Sequence, residues 1–400
     1  MKKRMPLLGL SLLLAATAAY AAKVVPAYES PSLPVEADEI DLWERASSHE
    51  NRLRNAGTVF HDRHMEAYIE ALAARMLGDS IDHLGIEIDF VLVREPTLSA
   101  WAYPYGTIGL HTGLLVRMDN EAQFGAILAH EISHFLQRHT YREMLDGDKQ
   151  SKVGKGLGFL ASLAMAKETG TFDKGVMDIA GNLWENLATS GYSKKNEYVA
   201  DEEGLELMMR AGLPIDEAIP AFEALGENEV YGAGDPRKMW SSHPRLEDRI
   251  KNLRKEIKRA KRKKTFVDAD MPVAQDYFRG IAPALLMNAR LDINERKFRR
   301  AREALEKYLM VVPDDPEAHY LVGETYRRAN PLGPEFESCQ AAYRSALEHD
   351  SAFAPALKEL GMTYRVQRQG AAARDAFEQY LEHAANAADA GIIRAYLETL

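Results

Sequence analysis

Apolar residues recur along the chain with two different periods, and the changes of period mark out its elements. Met65, Tyr68, Ile69, Leu72 and Met76 fall at i, i+3, i+4, i+7 and i+11, a stripe that predicts an amphipathic helix. A helical pattern also covers about Asp41 to Asn55, after an extended, proline-containing lead from Lys23 to Pro34. Ile86, Ile88 and Phe90 alternate with Glu87 and Asp89 and run into Val91-Leu92-Val93, the pattern of a strand. Gly106 to His111 reads as a second short strand, with Ser99 to Tyr105 as a turn before it. A long helix is expected from Asn120 to about His139, opened by a capping box of Asn120 with Gln123. Another helix covers Lys194 to Ala211. The stretch Gly154 to Ala166 is small and apolar but far too short for the ~20 residues of a membrane span. It fits a buried core helix, or a flap or interfacial helix beside a site. Nine Lys or Arg crowd Lys251 to Lys264, which reads as a solvated helix end leading to a linker or, more sharply, as a contact for anionic lipid headgroups.

From about Asp276 onwards the pattern becomes one of repeated helix pairs. Val322-Gly323-x-x-Tyr326 recurs 38 residues later as Leu360-Gly361-x-x-Tyr364. Ala301/Leu305/Tyr308, Cys339/Tyr343/Ala346 and Ala373/Phe377/Tyr380 repeat spacings of 4 and 3, at intervals of 38 and 34 residues. The small positions allow two helices to approach and the aromatic positions fill the groove between them. A period of 34 with these offsets resembles the tetratricopeptide repeat, and the four extra residues fall around Asn330 to Pro334. Cys339 occupies a small-residue position and is expected to be structural. Ile392, Ile393, Tyr396 and Leu400 suggest a final capping helix.

Composition narrows the class. The chain has 400 residues, 46% hydrophobic and 28% charged, which suits two or three globular domains and excludes a disordered or polytopic membrane chain. Its net charge of −10 argues against nucleic acid as a partner. Lys2-Lys3-Arg4, the apolar run Leu7 to Ala16 and the small residues of Ala19-Tyr20-Ala21 have the layout of a signal peptide cleaved after Ala21. Cleavage removes three cations and no acids, taking the charge to −13. Cys339 is the sole cysteine, so no lipid-anchoring cysteine follows the cleavage site and no internal disulfide forms. These features point to a bacterial periplasmic protein. The expected organisation is a signal peptide over 1–21, a metallopeptidase domain over 22–265 and a helical repeat domain over 266–400.

The chemistry concentrates at His130-Glu131-Ile132-Ser133-His134, the pattern H-E-x-x-H. On a helix, four residues advance about 6 Å and turn about 400°, so both imidazoles project from one face towards a single zinc ion. Glu131 lies about 100° away, beside the metal rather than on it, where a carboxylate can take a proton from the attacking water. A hydrolytic zinc needs a third protein ligand. Glu197, with Asp201 on the same face of a later helix, fits that need. Glu197 can bind the ion, and Asp201 can accept the N–H of a ligating histidine and fix its tautomer. His139 is one residue short of the three-histidine spacing and reads as a structural helix-end residue. His111 reads as a satisfied surface residue near a cleft. His61, His64 and His83 show no ligand spacing.

These segments together resemble peptidase family M48, the HtpX/Ste-type gluzincins. The resemblance rests on Ser99-Ala100-Trp101-Ala102-Tyr103-Pro104, Gly106-Thr107-Ile108-Gly109-Leu110, Gly113-Leu114-Leu115, the zinc helix ending in Arg138-His139, Glu197-x-x-x-Asp201, and Ser242-His243-Pro244 with Arg249-Ile250. It covers about Phe60 to Ile250. It departs from the family at Ser99, where Asn is usual, and at Tyr105-Gly106, where Gly-Gly is usual. It implies a mainly α (α+β) zincin-type domain with a small sheet and one zinc ion per chain. It also implies endopeptidase activity, with the strand Gly106 to Leu110 able to pair with substrate. His243 enters through the resemblance alone, as a second catalytic-site residue that can fill the zinc's fourth position or stabilise the oxyanion. Exported members with helical repeats imply a role in outer-membrane protein quality control. Their substrates would be unfolded or misassembled proteins, the barrel-assembly machinery would meet the repeats, and association with the membrane would be peripheral. The alternative is a repeat-based periplasmic chaperone with little proteolysis.

Overall fold

Both amphipathic stretches ahead of the first strand are helical, as α1 (Ala37–Asn55) and α2 (Arg63–Leu77). The structure is a computed structural model that describes residues 24–151, 192–226, 246–263, 266–329 and 335–400, with side chains of 146–151 omitted. The expected signal segment, the stretch Gly154 to Ala166, Ser242-His243-Pro244 and the insertion around Asn330 to Pro334 lie outside the described residues. Asp62 caps α2 by accepting the Met65 N–H at 2.9 Å. The stripe of α2 does what its period predicts: Met65, Ile69, Leu72 and Met76 are buried.

Three short strands form one sheet, β1 (Phe90–Val93), β2 (Ala100–Ala102) and β3 (Ile108–His111), in the order β1-β3-β2. β1 runs parallel to β3 with Phe90 opposite Ile108, and β2 runs antiparallel to it with Ala102 opposite Ile108. Two expectations are corrected here. Ser99 to Tyr105 is not wholly a turn: Ala100 and Ala102 bury their side chains, so the chain stays extended, and the reversal is confined to Pro104–Gly106, where Gly106 takes a φ of 104°. The strand Gly106 to Leu110 cannot pair with a substrate, because β3 is central and both its edges are taken. The outer side of β1 meets Val59. Among the described residues no strand pairs with the outer edge of β2, although Ala100 and Ala102 are buried. His111 N donates to Ser99 O and Tyr103 N to Thr107 O, so Ser99, Trp101 and Tyr103 face β3. By alternation, the N–H and C=O groups of Ala100 and Ala102 face outwards.

After α3 (Thr112–Arg117) comes the buried helix α4 (Glu121–Leu136). Asn120 caps it through the Gln123 N–H at 2.9 Å, while the Gln123 side chain returns to Asp119 N rather than to Asn120, shifting the reciprocal bond by one residue. The helix ends at Leu136, earlier than expected. Arg138 adopts a left-handed φ of 52° and the chain re-enters a helix at His139, forming α5 (His139–Ser151). A buried ion pair holds that turn, with Arg138 Nε and Nη2 donating to Glu39 at 2.9 and 2.6 Å. α6 (Lys194–Arg210), α7 (Ala218–Gly226) and α8 (Leu246–Ala260) follow among the described residues.

The remaining helices are α9 (Ala274–Gly280), α10 (Ala282–Asn294), α11 (Phe298–Leu309), α12 (Pro316–Ala329), α13 (Phe336–His349), α14 (Ala354–Val366), α15 (Gly370–His383) and α16 (Ala390–Thr399). They pack as consecutive pairs α10/α11, α12/α13 and α14/α15, closed by α16. All three recurring triplets are buried, Cys339 among them. A Cβ on Gly323 would lie 2.3 Å from the Tyr343 ring, and one on Gly361 would lie 2.5 Å from the Phe377 ring, so each aromatic presses on the backbone of the preceding helix. The first pair is continuous with the rest of the molecule. Tyr277 of α9 is buried, donates to Leu115 O at 2.6 Å and packs against Phe124 of α4. Among the described residues no helix is long and apolar enough to cross a membrane.

Candidate metal centre

His130 and His134 lie on α4, one turn apart, and Glu197 lies in the first turn of α6. The two helices are in close contact at Gly204, where a Cβ would stand 3.4 Å from His130 N, an ordinary packing distance. The ligand-capable atoms of His130, His134 and Glu197 all fall within 4.8 Å of one another. The two Nε2 atoms are 3.0 Å apart, and the Glu197 carboxylate oxygens approach them at 3.6 and 3.8 Å. Donors at about 2.0–2.1 Å from a tetrahedral ion stand about 3.3 Å apart, so the three fit one zinc. All three are about 1% exposed, and the His₂Glu donor set is that of hydrolytic zinc. Glu131, next to His130 on the same helix, is fully buried.

The surroundings orient these ligands. Asp201 Oδ1 lies 3.0 Å from His130 Nδ1, on the flank of the ring away from Nε2. Burial alone would raise the Asp201 carboxyl, but Arg249 and His130 outweigh it and hold the pKa down to about 2. The guanidinium of Arg249, 1% exposed, donates to Asp201 at 2.6 Å, pairs with Glu197 at 2.7 Å and lies over the Phe222 ring. Its own pKa is raised, because these two carboxylates overcome the cost of burial. Tyr192 stacks on His134 with centroids 3.9 Å apart. His139 Nδ1 lies 3.0 Å from His134 Nδ1, and burial lowers the His139 pKa to about 3, keeping the ring neutral.

Comparison with known proteins bears on the same residues. The profile of Peptidase family M48 matches residues 62–257, which include the helix pair α4 and α6 and the whole donor set. The chain carries a Peptidase family M48 domain. Over 205 residues the chain is 28% identical to the beta-barrel assembly-enhancing protease of Escherichia coli K12, covering 51% of this chain and 41% of the relative. It is 29% identical over 204 residues to a Vibrio cholerae protein that provisionally carries the same name, covering 50% and 41%. The metalloprotease YcaL of E. coli K12 is 24% identical over 187 residues, 47% of this chain and 68% of that one. The chain thus spans about two-fifths of the length of the first two relatives.

Within the M48 domain, the structure brings His130, His134, Glu197 and Asp201 together. His243 lies outside the described residues. His111 is more enclosed than a surface residue: it sits edge-on to Trp101, its Nδ1 is 2.7 Å from Thr97 Oγ1, and burial lowers its pKa to about 4. Sequence reasoning gave no role to Arg249, Tyr192 or the His139–His134 contact. Arg249 carried a signal, since it falls between Leu246 and Leu253 on the apolar stripe of α8, where an exposed cation does not belong. Tyr192 carried none, because the contact depends on how the chain enters α6.

Proposed function

We propose that the chain is an exported, zinc-dependent endopeptidase acting on misfolded or stalled polypeptides, in the service of outer-membrane protein assembly. The observation that carries this reading is the convergence of His130, His134 and Glu197 on one point, with Glu131 beside it on the same buried helix. When bound, zinc polarises the scissile carbonyl and lowers the pKa of a water at the site towards neutrality. Glu131 removes a proton from the attacking water and delivers it to the leaving amine. Asp201 and Arg249 hold His130 and Glu197 in register. His243 acts at the same centre. Raised activity in His243→Ala assigns it as an inhibitory fourth ligand, lowered activity as an oxyanion donor, and unchanged activity removes both roles.

The organisation proposed is a signal peptide over 1–21, a protease unit over 22–265 and a tetratricopeptide-like unit over 266–400, in a periplasmic protein. The helix pairs with their buried Gly–aromatic contacts favour a further role for the last unit, as a surface that holds unfolded barrel proteins or the assembly machinery. The names of the relatives support the assembly context. The test is casein cleavage by the chain from Ala22 onwards, expected to stop with a zinc chelator and to return with added zinc. Cleavage untouched by the chelator would exclude the zinc mechanism.

A further inference from the structure

The two histidine ligands are supported differently. His130 has a carboxylate at its Nδ1, Asp201 at 3.0 Å. His134 has instead a second imidazole, with His139 Nδ1 at 3.0 Å from its own Nδ1. His139 is fully buried, and the two rings meet edge-on with centroids 4.9 Å apart. The contact lies on the flank of His134 opposite the Nε2 that faces His130 and Glu197, so His139 cannot be a ligand of the same ion. Two features hold the pair in place. Tyr192 stacks on His134 and bonds through its hydroxyl to Thr140, the residue after His139. Arg138, the residue before, makes the left-handed turn that swings His139 back under the zinc helix, clamped by Glu39 and by Val25 O at 3.2 Å.

We propose that His139 is a positioning residue that accepts a hydrogen bond from Nδ1 of His134 when the Nε2 of His134 holds a metal. A neutral imidazole carries one proton. For Nε2 of His134 to offer its lone pair to a metal, that proton must sit on Nδ1, where a buried N–H needs an acceptor. His139 can supply its Nδ1 lone pair only with its own proton on Nε2, a buried nitrogen with no partner among the described residues, a cost that metal binding at His134 offsets. The reverse arrangement, with His139 donating, would place the proton of His134 on Nε2 and turn it against the metal position. The contacts of Arg138 to Glu39 and Val25 O set where that ring lies.

This rests on His130, His134 and Glu197 being the metal ligands, and its test reads metal affinity rather than turnover. Zinc affinity is measured by chelator competition on the full chain, alongside thermal unfolding of the metal-free proteins. His139→Leu is expected to bind zinc 10–100-fold more weakly, the scale on which such partners act. His139→Asn keeps an acceptor oxygen near the position of Nδ1 and is expected to recover affinity to within about threefold of the parent. Parent-like affinity in a folded His139→Leu overturns the proposal. If the leucine variant does not fold, a folded His139→Asn with affinity as low as a hundredth of the parent overturns it instead. A parent protein that binds no zinc overturns the metal site itself, and the role of His139 with it.

Discussion

Arg249 shows how much of the centre rests on one side chain. It pairs with two buried carboxylates, Asp201 and Glu197, in a low-dielectric interior. Breaking a buried pair by removing one partner costs about 3–5 kcal/mol, because the other charge stays behind. Arg249→Met is therefore expected to lose stability on that scale in urea unfolding of the metal-free protein. A loss under about 1 kcal/mol would show the carboxylates to be well solvated. The ligands themselves were legible, since i, i+4 spacing on a helix fixes a shared face whatever the tertiary fold does. Asp201 followed from the same arithmetic. His139 was read as a structural helix-end residue, and its partner could not be read: the break at Arg138, not the helix period, aims its ring at His134.

At the level of elements, the sequence pattern foretold the long amphipathic helices and strands β1 and β3, and missed β2. The stripe of α2 and the cap of α4 are local features, and both stand where expected. β2 has only three residues, and the turn chemistry of Pro104 and Gly106 next to it masks the extended segment. The helix pairs were legible because close packing leaves a repeated signature of small and aromatic residues. The Gly323–Tyr343 contact gives a direct test. In Gly323→Ala the new methyl would fall 2.3 Å from the fully buried Tyr343 ring, so the helix or the ring must shift. Overpacking of this kind costs about 1–3 kcal/mol, measurable as a lower unfolding midpoint. A midpoint equal to the parent's would mean that the pair packs less tightly.

Across the whole molecule, the protease part and the first helix pair share one buried core, from Met65 and Phe124 to Ala301 and Leu305. The sequence announced the helix pairs but not this continuity, because the residues that carry it, such as Tyr277, belong to neither motif. Asp292 of α10 sits at this junction, 5% exposed, in a cleft with Arg117, Asn288 and Arg300. Burial raises its pKa to about 6, with Lys297 and Arg300 only partly opposing. An acid that holds its proton more tightly when folded loses stability as pH rises from about 4 to about 6. Asp292→Asn should remove that slope and leave the protein more stable at pH 7, on the order of 2 kcal/mol. An unchanged slope in the variant would mean that the carboxyl titrates normally.

The central claim is that His130, His134 and Glu197 hold one catalytic zinc ion that Glu131 serves without binding. It is tested most directly by measuring zinc content and casein cleavage on the same preparations of the parent and of Glu131→Gln. The expected result is one zinc per chain in both, with cleavage in the parent and at least a hundredfold less in the variant. Equal cleavage in the two would contradict the role of Glu131. Zinc lost from the variant alone would make Glu131 a ligand, contrary to the geometry of the site.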